Sequence, residues 1–105
     1  TQILGLEILQ EVYREARQSY KLDLALNGLY VIELFSFPNP PKRVSRPEAA
    51  GLRHLAFEVN DIEKTKAFII ANGIEAENIR TDEYTGKSFF FIADPDGLPI
   101  EFYAS

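Results

Sequence analysis

A chain of 105 residues with 46% hydrophobic content supports one modest core, and its net charge of −5 argues against nucleic acid as the main partner. The absence of cysteine excludes disulfides and thiolate metal sites and fits a reducing, cytoplasmic setting. No apolar run reaches the roughly 18 residues of a membrane span, no signal peptide is visible, and the lack of methionine marks Thr1 as an internal start with residues expected upstream.

Thr1 to Gly5 reads as the tail of a helix, with Gly5 in the left-handed position that ends one. Glu7 to Tyr13 reads as a strand, with helix competing through Arg17 because Glu, Ala, Arg and Gln favour it. Leu22 to Leu26 alternates around Asp23 and Ala25, and Asn27-Gly28 then predicts a two-residue type I′ hairpin. Leu29 to Phe35 is the returning strand. Strict alternation places Val31, Glu33 and Phe35 on one face and Tyr30, Ile32 and Leu34 on the other. Four prolines between Phe37 and Pro47 forbid a central strand and predict a linker.

Leu52 to Val59 reads as a strand with His54 beside Leu52 and Ala56. Asn60 followed by Glu63 predicts a capping box. The helix it opens is expected to run to about Asn72, to pack through Ile62, Ile69 and Ile70, and to close at Gly73. Glu75 to Arg80 is expected as a strand, Asp82 to Gly86 as a turn, and Ser88 to Ala93 as a buried strand. Asp94-Pro95-Asp96-Gly97 is a strong turn signal. In the strand after it, Ile100 and Phe102 face one way, Glu101 and Tyr103 the other.

The chain repeats itself. Glu33 and Glu101 are 68 residues apart in like surroundings, Ile32-Glu33-Leu34-Phe35 and Ile100-Glu101-Phe102-Tyr103. Gly5-Leu6-Glu7 and Gly73-Ile74-Glu75 keep the same spacing, as do the turns at Asn27-Gly28 and Pro95-Asp96. A duplication follows. The second copy is β-α-β-β-β. The first shows β-β-β behind the end of a helix, which puts its first strand and most of its helix upstream of Thr1.

Three stretches carry a family resemblance: Gly51-Leu52-Arg53-His54-Leu55-Ala56-Phe57-Glu58-Val59, Ala71-Asn72-Gly73-Ile74, and Asp94-Pro95-Asp96-Gly97 leading to Ile100-Glu101-Phe102-Tyr103. The chain resembles the vicinal oxygen chelate superfamily of glyoxalase I, extradiol dioxygenases, and fosfomycin- and bleomycin-resistance proteins. It is most similar to small bacterial glyoxalase I-like proteins with Glu11-Val12-Tyr13-Arg14-Glu15-Ala16-Arg17 and Tyr30-Val31-Ile32-Glu33-Leu34-Phe35-Ser36-Phe37-Pro38. The resemblance implies an α+β fold of paired βαβββ modules forming a curved mixed sheet. One glyoxalase-like domain over 1–105 is then expected, with module one at 1–37, a linker at 38–50 and module two at 51–105. It also implies a homodimer, with modules completed across subunits.

The resemblance further implies one divalent metal ion held by the first and last strands of each module. That makes Glu33, His54 and Glu101 the expected ligands, with a fourth on the strand absent here. Oxygen and imidazole donors without thiolate suit Zn, Ni, Mn, Fe or Co. A metal would also account for carboxylates on otherwise apolar strands, where an unpaired charge is costly to bury. Each residue has an ordinary alternative: His54 as a core histidine, Glu33 or Glu101 facing water at a sheet edge. The implied activity is that of a lyase or isomerase on a small hemithioacetal-type substrate through an enediolate, with Glu101 or Glu33 as catalytic base. A small-molecule-binding resistance protein and an extradiol dioxygenase are the alternatives. Dioxygenases do not need a carboxylate where Glu33 stands. Basic residues outnumber acidic ones between Arg14 and Arg53. Within that stretch Arg14 and Arg17 are the candidates for binding an anionic substrate.

Overall fold

The computed structural model describes residues 1–105. They divide into two compact units, Thr1–Pro41 and Lys42–Ser105.

Unit one is an antiparallel sheet of β1 (Glu7–Arg14), β2 (Ser19–Leu26) and β3 (Leu29–Phe35), in the order β1-β2-β3. The helical competitor for the first segment survives only as a single 3-10 turn at Glu15–Arg17, closed by Gln18 in the left-handed region. The hairpin between β2 and β3 forms as expected. Asn27 and Gly28 both take positive φ, 52° and 77°, the pair of angles a type I′ turn requires.

The faces of β3 do not follow strict alternation. The register passes from Leu24↔Ile32 to Ala25↔Tyr30, which leaves Val31 as a bulge. A bulge inserts one residue and switches the faces beyond it. Tyr30 therefore shares a face with Glu33 and Asp23, not with Ile32 and Leu34 as the simple pattern predicts.

Unit two contains β4 (Leu55–Val59), α1 (Ile62–Ala71), β5 (Arg80–Thr81), β6 (Ser88–Ala93) and β7 (Pro99–Ala104). The sheet order is β4-β7-β6-β5, with β4 and β7 parallel and the other pairs antiparallel. This is a β-α-β-β-β module, and the fold is α+β. The core of this unit lies where the inward faces of β7 and β6 meet α1: Phe90, Phe102, Ile100, Ile62 and Ile69 are all buried.

Three local expectations are corrected. The helix is capped by Asp61, whose Oδ1 accepts from the Lys64 N–H at 3.0 Å, so the N-cap is one residue later than Asn60 and the capping box with Glu63 does not form. Ile70 is exposed, because one helical turn presents only one of two adjacent isoleucines to the sheet. The strand expected from Glu75 shrinks to Arg80–Thr81. Glu77 intervenes: its N–H donates to the Phe91 carbonyl at 3.2 Å, while its own carboxylate takes the Phe91 N–H at 3.0 Å. A side chain thus replaces the backbone acceptor the ladder would supply. Gly73 closes α1 as expected, with φ 79°. Its N–H donates to Ile70 and that of Ile74 to Ile69, the paired bonds of a Schellman cap.

The pairing register carries the duplication. In unit one Lys21↔Phe35, Leu22↔Leu34, Asp23↔Glu33 and Leu24↔Ile32 are partners. In unit two Phe89↔Tyr103, Phe90↔Phe102, Phe91↔Glu101 and Ile92↔Ile100 are partners, each 68 residues later. Glu33 and Glu101 therefore occupy equivalent positions on equivalent strands.

Candidate functional site

In unit two the site begins with the parallel pairing of β4 and β7. Ala56 is the register partner of Glu101. His54 stands two residues earlier, on the same face, just before β4 begins. Its position is fixed from outside the sheet: the Arg43 guanidinium donates to the carbonyls of Leu52 and Arg53, at 2.7 and 3.0 Å. From there the imidazole Nε2 lies 3.4 Å from Glu101 Oε1. The Phe91 ring meets the imidazole edge-on at 5.1 Å between centroids, which limits how it can turn. The Glu101 side chain is 15% exposed and that of His54 40%, so the pair opens to one side. Within unit two no third acidic or imidazole side chain joins it.

Tyr103 lies on the same face of β7 as Glu101. Its hydroxyl donates to Asp82 Oδ2 at 2.8 Å and makes a short contact with the Thr85 hydroxyl. The Thr85 contact favours the ionised phenol, but burial and the Asp82 carboxylate outweigh it and hold the phenol above its ordinary value. Tyr103 thus stays a donor. The Phe89 ring stacks on it, and Arg80 lies over Phe89 and Phe91 while donating to Glu77 through Nε and Nη2.

In unit one Glu33 belongs to a network that the sequence reading missed. The Tyr30 hydroxyl reaches Asp23 Oδ1 at 2.7 Å and Glu33 Oε1 at 2.9 Å. Lys21 Nζ is 3.4 and 3.3 Å from the same two oxygens. A hydrogen bond to Glu33 and the nearby negative charge raise the Lys21 ammonium above its ordinary value against the opposing effect of burial. Burial, then the two carboxylates, pushes the Tyr30 phenol up strongly. The signal available in the sequence was the hairpin itself, whose register sets Tyr30 opposite Ala25 and so on the Asp23 face. The bulge at Val31 that brings Glu33 opposite Asp23 has no such signal.

Of the residues singled out from sequence, the structure brings His54 and Glu101 together. Glu33 lies in unit one with the partners just described. Arg14 donates to the Ser19 hydroxyl at 3.0 Å and lies over the Phe35 ring at 4.7 Å. Arg17 is exposed in the 3-10 turn.

The donor chemistry at His54 and Glu101, one imidazole nitrogen and one carboxylate oxygen without sulfur, fits a divalent ion of the zinc, nickel or manganese kind. No helix is long and apolar enough to cross a membrane.

Comparison with known proteins gives a consistent result. The uncharacterized protein YwkD of Bacillus subtilis (strain 168) is 63% identical over 100 residues, covering 95% of this chain and 78% of its own length. The uncharacterized protein YaeR of Escherichia coli (strain K12) is 62% identical over 101 residues, covering 96% of this chain and 78% of its own. Among solved structures, a glyoxalase family protein from Enterococcus faecalis superposes with a TM-score of 0.90 at 47% identity, covering 97% of this chain and 80% of that one. Residues 1–102 match the family model described as Glyoxalase/Bleomycin resistance protein/Dioxygenase superfamily, and the chain belongs to that superfamily.

Proposed function

We propose that the protein is a divalent-metal-dependent, glyoxalase I-like lyase or isomerase acting on a small oxygenated substrate of the hemithioacetal type. The observation that carries this reading is the approach of His54 Nε2 to Glu101 Oε1 at 3.4 Å across parallel strands. These two side chains would hold the ion, with Glu33 as the equivalent donor of the first module. Bound there, the ion would supply Lewis acidity toward the substrate oxygens. The chain's own part in the chemistry is proton transfer. A carboxylate oxygen of Glu101 or Glu33 removes a proton from one carbon and returns it to the neighbouring carbon, while the hydroxyl proton of the first carbon passes to the carbonyl oxygen of the second, so the substrate is isomerised and the carboxylate regenerated. Arg14 and Arg17 are assigned to recognition of an anionic substituent, in a single glyoxalase-like domain that works as a homodimer in the cytoplasm.

The test is bound metal per chain and turnover of the hemithioacetal of methylglyoxal, in the wild type and in His54→Ala. Loss of stoichiometric metal and of activity in His54→Ala supports the reading. Equal occupancy in the two proteins rules out His54 as a ligand. A metal-free wild type that cannot be reconstituted favours the second reading, a small-molecule-binding protein on the same fold, for which the superfamily's resistance proteins are the precedent.

A further inference from the structure

Glu33 is engaged through one oxygen. Its Oε1 accepts from the Tyr30 hydroxyl at 2.9 Å and lies 3.3 Å from the Lys21 ammonium. None of these contacts uses Oε2. Behind them stands Asp23, only 6% exposed, whose Oδ1 meets the same hydroxyl and the same ammonium. The Glu33 side chain is 48% exposed. The network therefore runs from a buried anchor to an open tip.

Its internal chemistry is balanced. A phenol has one proton for two carboxylate oxygens, so it lies between them, and the ammonium offsets the charge that two adjacent carboxylates would otherwise concentrate. The anchor is built into the sheet, because the hairpin register sets Tyr30 on the Asp23 face and the bulge at Val31 brings Glu33 opposite Asp23. Unit two has no such device. At the equivalent positions stand Phe89, Phe91 and Leu98, and Glu101 Oε1 meets His54 instead. Two equivalent carboxylates are thus each engaged through one oxygen, by different partners.

We propose that Asp23, Tyr30 and Lys21 are positioning residues that fix Glu33 through Oε1 and present its Oε2 as a single outward donor atom for a divalent cation. The inference rests on the reading of Glu33 as a functional carboxylate given above. An unrestrained glutamate loses side-chain freedom when it binds. One already fixed loses less, which tightens binding without any new contact.

The test is a double-mutant cycle on the full chain: wild type, Tyr30→Phe, Glu33→Gln and the double variant, each titrated with Co²⁺ by calorimetry. Removing one hydroxyl from a half-exposed tyrosine should leave the fold and melting temperature intact. We expect Tyr30→Phe to weaken Co²⁺ binding by about 10-fold, the usual scale for loss of a partner that orients a ligand. In the Glu33→Gln background the same change should cost nothing further. Asp23→Asn provides a second cycle, and only a loss that vanishes in the Glu33→Gln background supports the clamp. Equal losses in both backgrounds, or none in the wild-type background, overturn it. Wild-type affinity in Glu33→Gln also overturns it, since Oε2 then binds nothing. His54→Ala in the same series separates the two ideas. Lost binding there, beside unchanged binding in Glu33→Gln, leaves the His54–Glu101 site standing while the clamp falls. A wild type that binds no Co²⁺ sinks both.

Discussion

Asp82 shows how much one side chain can hold in a turn. Its Oδ1 accepts from the Tyr84 N–H at 2.8 Å, and its Oδ2 takes the Tyr103 hydroxyl at 2.8 Å. The backbone bond from Tyr84, then the Tyr103 bond, lowers the carboxyl below its ordinary value against the opposing effect of burial. The sign of the linkage follows. A depressed folded value contributes stability that is complete above the ordinary value of 3.8 and is lost as pH falls through the lower folded one. The melting temperature of the wild type should therefore exceed that of Asp82→Asn by a constant margin near neutral pH. Below the ordinary value the margin should narrow. Thermal melts of both proteins from neutral to strongly acidic pH check this, and a pH-independent margin would count against it. At Asp61, removal of the cap by Asp61→Ala should cost about 1 kcal/mol, measured by urea unfolding.

At the scale of elements, β7 is the organising strand of unit two. It pairs with β4 on one side and β6 on the other, so it is the only strand there whose carboxylate can meet a residue from the module's first strand. Its inward residues Ile100 and Phe102 are buried, and Phe102 packs on Phe90 with ring centroids 5.1 Å apart. Phe90 has no exposed surface. Phe90→Ala should destabilise the protein by about 3–5 kcal/mol, the range for truncating a buried aromatic, and a loss under 1 kcal/mol would show that this layer is not the core. The outward residues Glu101 and Tyr103 should tolerate substitution with much less loss of stability, because their faces open toward solvent rather than toward α1.

At the scale of the whole molecule, the two sheets have the same internal order once the equivalent strands are matched: β3-β2-β1 corresponds to β7-β6-β5. In unit two the outer side of β7 is covered by the parallel strand β4. In unit one β3 pairs with β2. For the proposed homodimer, sedimentation velocity at micromolar concentration and above should show a two-chain species. A monomer across that range would remove the dimer from the reading.

The sequence by itself determined the duplication, the order of strands and helix in unit two, the hairpin at Asn27-Gly28 and the helix stop at Gly73. These follow from local chemistry: turn residues fix φ, and period-two alternation fixes faces. The tertiary structure alone decided the rest. The bulge at Val31 is a matter of how two strands settle against each other, so the Asp23–Tyr30–Glu33 network was invisible to a pattern that assumes unbroken alternation. Glu77 displaced a stretch of expected strand because its carboxylate competes with a backbone carbonyl for the Phe91 N–H. Which of Ile69 and Ile70 is buried depended on the rotation of α1 against β7. In each case the deciding interaction joins residues distant in sequence, and no propensity of either partner alone contains it.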